Sequence, residues 1–169
     1  MPPQLEIVEE SPAHAEAIRR VHRLGFGRDD EGLLVDHLRG DGLAVVSLVA
    51  LEAGLVAGHI LFSRLPIETS TGVVAAVALA PMAVLPDRRR RGIGSALVRQ
   101  GLDLCRSRGE RIVVVLGHPE YYPRFGFSAP LARTLQAPFS GDAFMALELA
   151  EGALSGLSGV VRYPPAFGV

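Results

Sequence analysis

The sequence predicts an α/β fold of the mixed α+β kind, with a central mixed sheet of six to seven strands and flanking helices. Three observations predict it. Apolar runs with strand character recur along the whole chain, from Leu5 to the Val160-Val161 pair. Two helical patterns lie before residue 41, and a longer one sits between two of the most apolar runs. That last order, strand, helix, strand, makes the two flanking strands parallel neighbours. Apolar residues make up 49% of the 169, enough for one domain spanning 1–169 to bury a real core.

Taken in order, LEIVEE (Leu5 to Glu10) alternates and reads as a first strand. Ser11 is the expected N-cap of the next helix, with Pro12 in its first turn. Ala17, Ile18, Val21 and Leu24 mark its apolar face, and Gly25 to Gly27 end it. A second helix spans Glu31 to Gly40, with Leu33, Leu34 and Leu38 on one side. Leu43 to Glu52 and Leu55 to Leu65 form a hairpin across Ala53-Gly54. Val73 to Pro86 is apolar nearly throughout and predicts a strand buried on both faces. Pro81 within it removes one ladder bond and predicts a bulge or a splay.

Gly92 to Arg108 is the strongest helical pattern, with Ile93, Ala96, Leu97, Val98, Leu102, Leu104 and Cys105 inward and Gly109 as cap. Arg111 to Gly117 is a buried strand, and His118 to Phe127 a helical turn and loop. Asp142 to Leu149 is a late strand. The tail, about 150–169, is loop-like and packs on the domain, with Val160-Val161 a strand stub.

Composition removes several chemistries. The chain has no lysine, so all 17 cationic side chains are arginine and Schiff-base chemistry is excluded. Its single cysteine, Cys105, rules out an internal disulfide and a multi-cysteine metal site, and no metal is expected. Mid-helix, Cys105 reads as a packed apolar residue. Formal net charge is −1, against the basic excess of a nucleic-acid binder. The start, MPPQLEIVEE, has no basic region followed by an apolar run, and no segment has about 18 consecutive apolar residues. A cytoplasmic protein without membrane partners is therefore expected.

The stretch RRRRGIGSALVRQ, Arg88 to Gln100, carries the functional signal. It follows an apolar strand and opens a helix. Amides at a helix start have no internal acceptors, and the dipole adds positive potential there. Glycines let an anion approach the backbone closely. The pattern suits a phosphate-bearing ligand, while a charged turn before an ordinary helix remains open. Two other phosphate loops fail: Leu97 stands where a Rossmann loop needs its third small residue, and a Walker loop needs Gly-Lys.

Arg89-x-x-Gly92-x-Gly94 resembles the R/Q-x-x-G-x-G/A signature of GCN5-related N-acetyltransferases, the GNAT family. Leu79 to Pro86 resembles that family's fourth strand, and Tyr122-Pro-Arg-Phe-Gly126-Phe127 its segment after the fifth. Gly58-His59-Ile60, His118-Pro-Glu-Tyr-Tyr122 and the tail resemble the YhbS-like branch.

The resemblance implies a GNAT fold whose fourth and fifth strands splay around acetyl-CoA as cosubstrate. It implies that main chain from Arg89, Arg90, Arg91, Gly92, Ile93 and Gly94 to Ser95 holds the pyrophosphate, and that Met82, Ala83 and Val84 meet the pantetheine arm. It places Tyr122 near the sulfur as general acid, with Tyr121 competing for the role. The family's strand glutamate is missing, because Val73 to Pro86 holds no carboxylate. His59, Glu120 and His118 are left as candidate bases, and Asp29, Asp30 and Glu31 as groups that attract a cationic amine. The implied activity is acetyl transfer to an amine of a small molecule or protein by direct attack in a ternary complex. A non-catalytic acyl-CoA sensor of the same fold is the alternative. A homodimer is admitted, although no segment marks an interface.

Overall fold

The computed structural model describes residues 4–139 and 141–169. Strand β1 (Leu5–Glu9) is followed by a 3-10 turn at Pro12–His14 and helix α1 (Ala15–Phe26). Ser11 caps the turn rather than α1, and its amide donates to His14 Nδ1 at 3.0 Å. Gly25 is still helical, and α1 stops at Gly27, whose φ of 75° is the left-handed value that glycine tolerates. Helix α2 spans Asp30–Gly40.

Strands β2 (Ala44–Glu52), β3 (Leu55–Thr69) and β4 (Gly72–Val84) form an antiparallel meander. Helix α3 (Ile93–Ser107) crosses to β5 (Ile112–Leu116), which runs parallel to β4 as its helical connection requires. Strands β6 (Leu135–Gln136), β7 (Phe144–Glu148) and β8 (Gly159–Val161) complete a mixed sheet ordered β1-β2-β3-β4-β5-β7. The sheet has eight strands, not six to seven. The extra pairing arises because β3 runs four residues past Leu65 while its pairing with β2 stops at Ala44–Ser63. The freed edge of β3 takes β8, at Ile67–Val161 and Glu68–Val160, and β8 in turn pairs β6.

Alternation along the strands sorts the core. Ile60, Phe62, Val77, Leu79, Val113 and Val115 pack beneath α3. On the opposite face Val49 and Leu61 pack under α1 and α2, and Ala76, Ala78, Ile112 and Val114 pack beneath the C-terminal segment. Thus β4 is buried on both faces over Ala76–Leu79, although Val73 at its start is exposed. In α2 the inward face is Gly32, Val35 and Leu38, and Leu33 is 51% exposed. The helix is rotated from the expected register because bare Gly32 sits against the Arg19 backbone of α1, where a Cβ would lie 3.4 Å away. No helix among the described residues is long and apolar enough to cross a membrane.

Candidate active site

The site begins as a fault in the sheet. Between β3 and β4 the register passes from Ile60–Met82 to Phe62–Leu79, so Ala80 and Pro81 together oppose Leu61. This is a bulge where Pro81 has no amide to offer. The parallel ladder between β4 and β5 is confined to Val77–Val113 and Ala78–Val114. Beyond it Met82, Ala83 and Val84 pair only with β3, leaving their other backbone edge without a strand beside it.

Two cavities open along that edge. The first, about 570 Å³, is walled by Met82, Ala83 and Val84, by Arg88, Arg89, Arg90 and Gly92 to Ser95, and by Gly25, Phe26, Tyr121 and Arg124. The second, about 670 Å³, is walled by Ala78–Met82, by Val114–His118 with Tyr121 and Tyr122, and by side chains of α1, α2 and the tail. Met82, Tyr121 and Phe26 border both. Of the residues expected at a phosphate loop and its strand, Arg91 alone lies outside the first cavity wall.

The loop explains this division. Leu85 N–H donates to Ala57 O at 2.9 Å, which anchors the end of β4. A 3-10 turn at Pro86–Arg88 follows, then Arg90 at φ 64° and Gly92 at φ 81°. The first α3 bond runs from Ala96 N–H to Gly92 O at 3.0 Å. The amides of Ile93, Gly94 and Ser95 therefore point out of the helix start toward the first cavity, where the dipole favours an anion. Arg88 is drawn to Glu52 at 2.6 Å and Asp87 at 2.9 Å, and Arg91 stands 3.6 Å from Glu52. Arg89 donates to Gly25 O at 2.9 Å. Among the described residues Arg90 makes no side-chain ion pair or hydrogen bond, and it lines the cavity. The arginines therefore do not form a uniform basic patch.

The tyrosines stand across the gap. Tyr121 Oη lies 3.1 Å from Ser95 Oγ, and the Arg124 guanidinium covers its ring at 4.8 Å. A Cβ on Gly94 would sit 3.3 Å from the same Oη. Tyr122 is buried, edge-on to Tyr121 at 5.1 Å. Its ring lies against Gly117, where a Cβ would sit 2.3 Å from it. Burial, followed by neighbouring Tyr121, pushes its phenol up to about 12, so it stays protonated at neutral pH.

The expected base candidates separate. His118 is exposed on the wall of the second cavity, while Glu120 is exposed outside both. His59 is wholly buried behind the wall: its Nδ1 lies 2.8 Å from His22 Nε2 and its Nε2 2.8 Å from Ser47 Oγ. Burial holds His59 well below the usual imidazole range, and holds His22 down to about 4. Asp29 and Asp30 are exposed, but Glu31 lines the second cavity. Arg28 grips the Glu31 carboxylate at 3.0 and 2.6 Å and holds it below the usual carboxylate range. The Cys105 thiol is fully buried and pushed up to about 12, which removes it from nucleophilic chemistry. No group of three or more metal-ligating side chains occurs among the described residues.

Sequence reasoning missed the His22–His59–Ser47 chain and the aromatic wall of the second cavity formed by Phe139, Tyr163 and Phe167. The one signal for the chain was His22 itself, polar on the inward face of an amphipathic helix.

A profile of the acetyltransferase (GNAT) family matches residues 11–127. YhbS, an uncharacterized N-acetyltransferase of Escherichia coli K12, is 37% identical over 157 residues, 91% of this chain and 93% of that protein. YjhQ, another uncharacterized N-acetyltransferase of the same strain, is 40% identical over 115 residues, 67% of this chain and 64% of that one. The crystal structure of E. coli YhbS in complex with CoA is similar at TM-score 0.89 and 35% identity, covering 99% of this chain and 93% of that one. A GNAT family acetyltransferase from Brucella melitensis in complex with acetyl-CoA is similar at TM-score 0.82 and 36% identity, covering 97% and 98%.

Proposed function

The chain belongs to the acetyltransferase (GNAT) family, and from that premise we propose that it moves an acetyl group from acetyl-CoA to a primary amine by direct attack in a ternary complex. One observation carries the reading. The unpaired edge of β4 joins a cavity suited to an anion to a second, larger one, with Met82 and Tyr121 bordering both. A long phosphorylated thioester and its acceptor need that arrangement.

The residues fit the cosubstrate. The amides of Ile93, Gly94 and Ser95, with Arg90, suit a pyrophosphate. Gly94 leaves room for it beside Tyr121. The free edge of Met82 to Val84 offers peptide groups to the pantetheine amides, as an added strand would. The thioester would then reach the second cavity beside Tyr122.

There the acceptor's ammonium first gives up a proton to water, the free amine nitrogen attacks the thioester carbon, the carbon–sulfur bond breaks, and Tyr122 protonates the departing sulfur. Burial keeps the phenol protonated until the thiolate develops beside it. The nitrogen's proton leaves to His118 on the same wall, directly or through water, and returns the phenol to its protonated state. His59, with both ring nitrogens occupied, holds α1 against β3 in this reading. Glu120, outside both cavities, takes no part.

A non-catalytic acyl-CoA-binding role is the second reading, favoured by the lack of any carboxylate on β4. Thermal unfolding with and without acetyl-CoA, paired with an assay of CoA thiol release in the presence of amines, tests both. At about 100 times Kd the ligand adds roughly 2.7 kcal/mol to stability. Gly94→Glu, which puts a carboxylate into the first cavity, should fold and lose that gain. Stabilisation without thiol release from any amine selects the second reading; no stabilisation at millimolar acetyl-CoA defeats both.

A further inference from the structure

The second cavity has a chemistry of its own. Glu31 is the one carboxylate on its wall among the described residues. The Glu31 side chain is 12% exposed, and Arg28, at 61%, grips it from the solvent side. The same wall carries rings rather than further acids, with Arg28 and His118 as its other ionisable groups besides the tyrosines. Tyr163 stands edge-on between Phe139 at 5.3 Å and Phe167 at 5.1 Å, and all three line the cavity with Phe26.

Such a wall discriminates. A polyamine or aminoglycoside brings several ammonium groups, each needing an anionic or carbonyl partner once desolvated. Here one carboxylate is available, with the Arg28 cation beside it. A single ammonium on an apolar body meets both features: charge for Glu31, and ring or chain for the aromatic wall.

Resting on the proposed acetyl transfer, we propose that the acceptor is a monoamine carried on an apolar, aryl-sized body, with Glu31 drawing in the ammonium group and the Phe139–Tyr163–Phe167 wall selecting the body. Glu31 acts here as a specificity residue, and its charge is what the cavity reads.

The test uses the intact chain and four acceptors: phenethylamine, ethylamine, spermidine and a lysine-bearing peptide. Acetyl-CoA binding is first confirmed by thermal shift, which separates this proposal from the one it rests on. Phenethylamine should give the highest kcat/KM by about tenfold, the scale of burying an aromatic side group. Glu31→Gln should raise its KM about tenfold, the worth of a charge-assisted contact, and leave acetyl-CoA affinity unchanged. Phe139→Ala should raise the KM of phenethylamine but not of ethylamine, a contrast that a general loss of folding cannot produce. The phenethylamine ring protons should broaden in NMR spectra on adding CoA-saturated protein, and less so with Phe139→Ala. Preference for spermidine or the peptide, an unchanged KM in Glu31→Gln, or acetyl-CoA binding without phenethylamine turnover would each overturn it. If acetyl-CoA does not bind, the underlying function falls and this proposal with it.

Discussion

Tyr121 Oη lies 3.1 Å from Ser95 Oγ, and this pair of hydroxyls spans the mouth of the gap between β4 and β5. Ser95 belongs to the first turn of α3, and Tyr121 to the segment that follows β5. The contact holds the anion-facing helix start and the tyrosine-bearing segment at a fixed spacing. It also occupies the Tyr121 hydroxyl, whereas the neighbouring Tyr122 hydroxyl, on the wall of the second cavity, has no protein partner among the described residues.

The two tyrosines should therefore separate kinetically. Tyr122→Phe should lower kcat by about a hundredfold, the low end for loss of a general acid, with acetyl-CoA affinity unchanged. Tyr121→Phe should instead weaken acetyl-CoA binding by about fivefold, on the order of one hydrogen bond. Steady-state kinetics with titration calorimetry on both variants checks the assignment, and the reverse pattern would move the acid role to Tyr121.

Two glycines should respond differently to one added methyl group. At Gly101 a Cβ would strike the Phe62 ring in the core beneath α3. Gly101→Ala should cost roughly 1–3 kcal/mol of stability by overpacking and leave kcat nearly intact. At Gly117 the collision is with Tyr122. Gly117→Ala should lower kcat at least tenfold, since small misplacements of a catalytic group are expensive in rate. Urea unfolding and turnover measured side by side distinguish them.

The arginine run should prove uneven. Arg90→Ala removes the loop cation that is unpaired among the described residues and should weaken acetyl-CoA binding by about three- to tenfold, more at low salt than at high. Arg91→Ala, outside the cavity and near Glu52, should change affinity by less than about twofold. Binding titrations at two ionic strengths decide.

Acid should destabilise the fold above the carboxylate range. The ordinary imidazole value is 6.5, and burial holds folded His22 to about 4. Between those values the unfolded chain binds a proton that the folded chain refuses, so stability falls as pH falls. At pH 7 both states are mostly neutral and little is lost. For His22 the loss reaches about 2 kcal/mol by pH 5 and about 3 kcal/mol by pH 4. His59 shifts in the same direction. Glu31, lowered in the fold from 4.5, adds its own loss only below that value. Urea titrations at pH 7 and 5 should show the drop, and His22→Gln should reduce it by the His22 share while the buried His59 keeps the remainder.

What was legible in the sequence was local. Met82 to Val84 and the loop to Ser95 are fixed by spacing within one strand–loop–helix unit, the paired tyrosines follow the next strand, and the structure brings these segments to one gap, with Arg91 outside it. Pro81 announced the bulge because its missing amide is a property of the residue itself. What was hidden depended on partners distant in the chain. His59 on an apolar strand gives no hint that His22, 37 residues earlier, closes over it. Arg90 and Arg91 differ because Glu52 of the hairpin claims one side of the loop. Leu33 and Val35 exchange places because Gly32 sets how α2 meets α1. The tail's rings reach the second cavity through β8 on an edge of β3, and no periodicity near Phe167 predicts that.

The sheet's narrow seam has a mechanical meaning. Only two residue pairs lace β4 to β5, so β1–β4, with β8 and β6 on the edge of β3, and the β5–β7 pair are close to being two plates joined through the core beneath them. A ligand lying along Met82 to Val84 would supply rungs that the polypeptide lacks. Binding and completion of the sheet would then be one event, and affinity would depend on how well the empty plates already hold their spacing. A substitution in β7 or the tail that lets them drift would loosen the ligand without touching it.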